Sequence, residues 1–246
     1  MFVYLRYERR IVEPEFCAGG NVMKYFTIDW YTEMQVAGFL VFPETREEWD
    51  ELLKYYHDEG IDFQKASREN MEYRKQDLLK YLPESFHSYI YQGILNSKYP
   101  TQRLREMVNQ WTMDYEKRTA AISKDYRRMY EVNKEKLSGN VVQFYEKSLH
   151  DAQLIHIARP VNDVLILNLD CRGGFHYFSE IRVAFTGAKE FYHTNSKAGG
   201  WWQTAEIYPN ENGFDYHVLL DNPMQEMKIV AEDVRIEVTA NSTTNT

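Results

Sequence analysis

The spacing of hydrophobic positions changes character near residue 150. Before it, apolar residues recur at intervals of three and four, the period of helices with one buried stripe. After it, they alternate with polar residues or form short continuous runs, as strands do. The helical part predicts a first helix carrying Trp30, Met34, Ala37, Phe39 and Leu40 that stops before Pro43. Thr45 with Glu48 three residues on is the pair of a capping box, and it opens a second helix through Trp49, Leu52, Leu53 and Tyr56, ended by Gly60. A third helix covers 63–82, with Met71, Leu78, Leu79 and Leu82 inward, and Pro83 breaks it. A fourth covers 84–95. The longest stripe runs Leu104, Met107, Val108, Trp111, Tyr115, Ile122, Tyr126, Met129, Tyr130, Leu137. It predicts one helix of ~50 Å, at about 1.5 Å per residue, stopped by Ser138-Gly139. A short return helix follows over 141–149.

The strand part is organised around Val164-Leu165-Ile166-Leu167-Asn168-Leu169-Asp170, a nearly continuous apolar run that predicts a strand buried on both faces. An entry strand over 152–158 precedes it, ended by Arg159-Pro160. After it, Ile181, Val183 and Phe185 alternate with Arg182 and Ala184, and 201–208 forms a strand beyond the turn at 195–200. Phe214, Tyr216, Val218 and Leu220 alternate with Asp215 and His217, and the apolar positions at 227–230, Val234, Ile236 and Val238 close the sheet. Turn-punctuated alternation of this kind predicts antiparallel pairing. Helices first and strands afterwards predict an α+β fold, a helical region at 23–150 packed on or followed by a mainly antiparallel β region at 151–240, with a frayed polar tail at 241–246.

Residues 1–22 fit neither pattern. They have no period and end in Ala18-Gly19-Gly20-Asn21 just before Met23. Ala-Gly-Gly can be encoded by codons containing AGGAGG, a bacterial ribosome-binding sequence. The expected start is therefore Met23, with the leader either translated upstream DNA or disordered; the intact mass of the native protein tests this.

Composition narrows the function classes only a little. The net charge of −8 argues against a protein built to grip phosphate backbones, so no nucleic-acid partner is expected. Charge is uneven: 44–62 is acidic and 98–136 is basic, a pattern that solvated helix surfaces produce. Two cysteines, Cys17 and Cys171, make no disulfide framework, and no apolar run reaches transmembrane length. The cytoplasm is the expected compartment, with no membrane partner. The composition leaves the oligomeric state open.

Chemistry is sparse. Seven histidines include His150, His156 and His176, but no His-Glu-x-x-His and no Cys-x-x-Cys accompanies them, so neither a metal nor another cofactor is expected. Asp170-Cys171-Arg172-Gly173-Gly174 has the glycines of a loop whose backbone N–H groups could hold an anion. Trp201-Trp202 points one ring inward and one outward, and beside Glu206, Tyr208 and His217 the outward ring would make a binding patch. The candidate binding residues are Asp170, Arg172, His176, Trp202, Glu206 and His217; no catalytic residue is assigned.

Several stretches together carry a resemblance. They are Met23-Lys24-Tyr25-Phe26-Thr27 with Asp29-Trp30-Tyr31, the junction His150-Asp151-Ala152, Leu167-Asn168-Leu169-Asp170, Trp201-Trp202 with Glu206, and Phe214-Asp215-Tyr216-His217-Val218-Leu219-Leu220 before Glu232-Asp233-Val234-Arg235-Ile236. Over residues 23 to about 238 the chain resembles an uncharacterised, bacillus-type family of cytoplasmic bacterial proteins known as a domain of unknown function. That resemblance implies a class and transfers no activity to any residue. The expectation is a non-enzymatic binding or interaction protein whose partner is another protein. The rival is a hydrolase or transferase using Asp170, Cys171, His176 and Glu206 around the turn at 170–174.

Overall fold

A computed structural model describes residues 23–194 and 198–239. The leader with Cys17, three residues of the turn after position 194 and the tail lie outside the described residues. The fold is α+β: helices α1 to α6 precede an eight-stranded sheet whose neighbouring strands pair antiparallel. The chain divides into two compact units, Asp29–Ser123 and a second made of Lys124–Thr246 with the residues up to Ile28. The division therefore falls inside a helix, earlier than the change of hydrophobic period near His150.

The helical unit contains α1 (Ile28–Phe39), α2 (Arg46–Asp58), α3 (Phe63–Tyr81), α4 (Glu84–Tyr91) and the first part of α5 (Gln102–Asn133). Local chemistry sets the ends. The Thr45 hydroxyl accepts from the Glu48 N–H at 3.1 Å while the Glu48 carboxylate accepts from the Thr45 N–H at 3.4 Å, the expected capping box. Asp62 caps α3 by accepting from the Lys65 N–H at 3.0 Å, and Leu82 is extended before Pro83. α4 stops at Tyr91, short of the expected Leu95, because the chain turns through Gly93 at φ 70°. Leu95 still reaches the core, from the turn beyond the helix. On α1 the buried residues are Tyr31, Val36 and Phe39, so Trp30 and Met34 are not its innermost positions.

The core joins Val36, Leu78, Phe86, Leu104, Val108 and Trp111, with Trp111 and Tyr115 stacked at 5.5 Å. The acidic stretch finds partners along its own helix, Arg46 with Asp50 and Lys54 with Asp58, as a solvated surface does.

The sheet unit holds the rest of α5, a 3-10 turn at Lys134–Lys136, α6 (Gly139–Glu146) and strands β1 (Gln153–Val161), β2 (Val164–Asp170), β3 (Glu180–Thr186), β4 (Glu190–His193), β5 (Trp201–Asn210), β6 (Gly213–Asp221), β7 (Gln225–Ala231) and β8 (Asp233–Val238). Its strand order is β4-β7-β6-β5-β1-β2-β3-β8. Two three-stranded meanders, β1-β2-β3 and β5-β6-β7, thus meet between β1 and β5, and short β4 and the last strand cover their outer edges. The four-residue β4 is too brief for alternation to reveal. α5 ends at Asn133 rather than Leu137, and Ser138 begins α6 by accepting from the Val141 N–H at 3.3 Å instead of stopping a helix.

The meeting of β1 and β5 is narrow. Among the described residues their register pairs Gln153 with Trp201 alone. Beyond it, helix tyrosines take the place of a strand: the Tyr126 hydroxyl accepts from the Ile207 N–H at 2.9 Å, and the Tyr145 hydroxyl donates to the Ala205 carbonyl at 3.5 Å. This split explains two departures from expectation. Pro160 does not end β1, and Pro209 lies inside β5, because a proline costs nothing on an edge with no ladder to feed.

The core of this unit lies on one sheet face: Leu165, Leu167 and Leu169 of β2, Ile181, Val183 and Phe185 of β3, Trp202 of β5, Phe214, Tyr216, Val218 and Leu220 of β6 and Met227 and Ile229 of β7, with Val141 and Phe144 of α6 packed among them. β2 is therefore not buried evenly on both faces. Its three leucines are fully buried on the core face, whereas on the other face Ile166 is buried and Val164, Asn168 and Asp170 are half-buried.

Gly213 closes the β5–β6 hairpin at φ 153°. A Cβ there would collide with the Ala231 carbonyl oxygen and lie 2.6 Å from the Glu232 Cα. Gly213→Ala is expected to cost about 2–3 kcal/mol, since strain and overpacking add. Gly173→Ala, which meets open space, is the control expected to be near neutral. Urea midpoints of the two variants check this, and equal midpoints would contradict it.

Candidate functional site

The six candidate residues fall in three places. The first is the β2–β3 loop. Asp170 is held by Arg172 through two side-chain bonds, Nε to Oδ1 at 2.8 Å and Nη2 to Oδ2 at 2.5 Å, and that guanidinium keeps the carboxyl below its ordinary range. Arg172 also reaches Glu180 at 3.5 Å, so the charges of the loop are engaged with one another. Cys171 is buried and free, and burial pushes its thiol up to about 11, which makes it a poor nucleophile at neutral pH.

The second place is the outer face of β5 and β6. Glu206, on that face, is fully buried, not exposed as a binding residue would be. Residues 23–26 lie across it, and its carboxylate accepts from the N–H groups of Lys24 at 2.9 Å, Tyr25 at 2.6 Å and Phe26 at 2.7 Å and from the Tyr208 hydroxyl at 2.6 Å. Three successive N–H groups converging on one carboxylate make a strap clamp. The Lys24 ammonium sits 4.3 Å above the Tyr208 ring, and the Met23 N–H donates to Glu226 Oε1 at 3.5 Å. Tyr25 and Phe26 complete the cover by packing on Tyr126.

His217 pairs across the ladder with Glu206 and is also buried, its ring 5.3 Å from that of Tyr208. Neither ring nitrogen has a hydrogen-bond partner among the described residues. Burial depresses its pKa below the ordinary value, against the opposing pull of Glu206 and Asp215. The folded state thus binds fewer protons than the unfolded state between that lowered pKa and about 6.5, and stability falls as pH drops through this window. The expected result is that His217→Leu loses less stability than the parent between pH 7.5 and the onset of acid unfolding. Urea titrations at several pH values measure it, with the limiting slope of one histidine being about 1.4 kcal/mol per pH unit. Parallel pH profiles would contradict it.

The third place is an open cleft of about 670 Å³ inside the sheet unit. It is lined by the corner between α6 and β1 (Tyr145 to His150), by Phe175 and His176 of the β2–β3 loop, and by Trp202 to Ala205 of β5 with Tyr216 behind. A bulge in β5 between Trp202 and Thr204 turns the Gln203 carbonyl toward His150, whose Nδ1–H donates to it at 2.7 Å. His176 donates its Nδ1–H to the Ser148 carbonyl at 3.2 Å and so ties the loop to the corner. The same junction requires Gly174, because a Cβ there would stand 2.9 Å from the His150 carbonyl oxygen.

The loop carries its two phenylalanines outward, while Tyr177 packs against the sheet core. Phe175 is 63% exposed and Phe178 70%. Tyr177 and Phe178 both adopt left-handed backbone, at φ 71° and 49°, which is strained for bulky residues and marks functional loops. Trp202 is the inward member of its pair, 2% exposed and 5.9 Å from Tyr216, so it serves as cleft wall and core together.

Of the expected residues, then, His176 and Trp202 share the cleft, while Asp170 with Arg172 and Glu206 with His217 stand elsewhere. Tyr145, Lys147 and Phe175 line the cleft without having been anticipated. The ring-rich run Phe175-His176-Tyr177-Phe178 directly after two glycines was the available signal. Among the described residues no cluster of His, Cys, Asp and Glu could hold a metal, and no helix is long and apolar enough to cross a membrane.

No curated protein matches the chain. A family model does, over residues 25–231, a span that begins within the strap, takes in both compact units and ends with β7. The chain belongs to that family, described as a protein of unknown function (DUF4085).

Proposed function

We propose that the chain is a binding protein, not an enzyme, and that it engages its partner through the cleft and the exposed aromatic loop at 175–178. The observation that carries this reading is the pair of outward phenylalanines, with Tyr177 and Phe178 on left-handed backbone, beside a cleft with a ring-lined floor. Exposed rings on a fixed loop provide large contact area at low entropic cost. The catalytic rival loses support because its four residues do not converge. Asp170 is spent on Arg172, Cys171 is a buried thiol, and Glu206 lies under the strap. The buried free thiol also fits a reducing compartment such as the cytoplasm.

The test compares the parent protein with a Phe175→Ser/Phe178→Ser variant as baits in an extract of the source cells. A partner, protein or small molecule, retained by the parent and lost by the folded variant supports the proposal. Substrate turnover abolished by Asp170→Asn or Cys171→Ala would replace it with the catalytic reading.

A further inference from the structure

Resting on the cleft as the binding surface, we infer that its ligand is a small carboxylic acid carried on a flat apolar body. The wall supplies the apolar half. Trp202 and Tyr216, each 2% exposed and inclined at 32°, back the wall, and the exposed Phe175 packs at 5.6 Å on His150, so a planar group would find its open ring surface on Phe175 and His150. A cavity of this size suits a small organic molecule.

Charge supplies the other half. Among the described residues the cleft has one carboxylate, Glu146, and it is already engaged: Lys134 donates to it at 2.8 Å and the Tyr130 hydroxyl at 3.3 Å. Lys147 has no carboxylate within ion-pair distance among the described residues; its ammonium lies 5.5 Å from the centre of the Tyr177 ring. The lining therefore carries an uncompensated positive charge at its edge. Deeper in, the Tyr216 phenol lines the cleft without a protein hydrogen-bond partner among the described residues, and burial holds it protonated and hence able to donate. An ammonium and an unpartnered phenol O–H are both donors, and a carboxylate is an acceptor suited to either, with the ammonium adding the charge that favours it over a neutral group.

Calorimetric titration with four probes tests the class: 1-naphthoate, 1-naphthalenemethanol, 1-naphthylmethylamine and acetate. Naphthoate is expected to bind at least about tenfold more tightly than the alcohol, a difference of about 1.4 kcal/mol, with no detectable binding of the amine or of acetate. Lys147→Glu should weaken naphthoate at least about tenfold and Lys147→Arg should retain it. Phe175→Ser should weaken it too. Lys147 and Phe175 are exposed, so these variants are expected to fold, and circular dichroism verifies it. Equal binding of alcohol or amine, lost with Phe175→Ser, would overturn the acid while leaving the cleft as the binding surface. Naphthoate binding indifferent to both substitutions would overturn the cleft as well. Failure of all four probes to bind would overturn the acid alone, because the bait comparison tests the cleft separately.

Discussion

Leu167→Asp is expected to unfold the sheet unit, whereas Arg182→Asp leaves its stability nearly unchanged. The two positions face each other's strands in the β2–β3 pair but occupy opposite sides of the sheet. Leu167 is fully buried among the side chains of both meanders. An aspartate there gives up the ~2–3 kcal/mol of a buried leucine and adds several more for a carboxylate with no partner. The sum, about 5 kcal/mol or more, is comparable with the whole stability of a modest domain. Arg182 is exposed and makes an ion pair with Glu237 at 3.4 Å, worth less than about 1 kcal/mol at a surface. Thermal melting separates the variants, and the reactivity of Cys171 toward a thiol reagent reports on this unit specifically, since its thiol is buried in the folded sheet. Similar melting points for the two variants would mean that the assignment of sheet faces is wrong.

The second large effect is expected at Glu206. Truncation to alanine leaves three strap N–H groups and the Tyr208 hydroxyl without their acceptor beneath a cover that excludes water. Each buried donor left unmade costs about 1–3 kcal/mol, and relaxation of the strap will recover part of that, so a net loss of about 3–5 kcal/mol is expected. Glu206→Gln keeps one acceptor oxygen but turns an amide N–H₂ toward donors, and should fall between the parent and the alanine variant. Hydrogen exchange distinguishes a local from a global effect: the amides of Lys24, Tyr25 and Phe26 should lose protection before those of β2 do. Undiminished protection of these three amides in Glu206→Ala would show that the strap is held by Tyr25 and Phe26 packing on Tyr126, with the carboxylate incidental.

The helices, their order and the switch to antiparallel strands were legible in the chain alone, because those features depend on neighbours within a few residues. The Thr45–Glu48 box, the break at Pro83 and the leucines of β2 are decided by local hydrogen bonds, fixed backbone angles and side-chain alternation. Strand order was not legible, since the split between β1 and β5 depends on tyrosines from α5 and α6 that cap the free edge of β5. The fate of Glu206 was equally out of reach. Alternation places it on the outer face, where a carboxylate is normally solvated, and only a contact across 180 to 182 residues of sequence turns it into a buried clamp. The cleft lay between these cases. Its rings at 175–178 stood in plain view, but their meeting with Lys147, His150 and Trp202 required the bulge at Gln203 and the close approach of Gly174 to His150. Short-range preferences therefore determined which elements form, and long-range satisfaction of buried polar groups determined which side chains were left to bind anything.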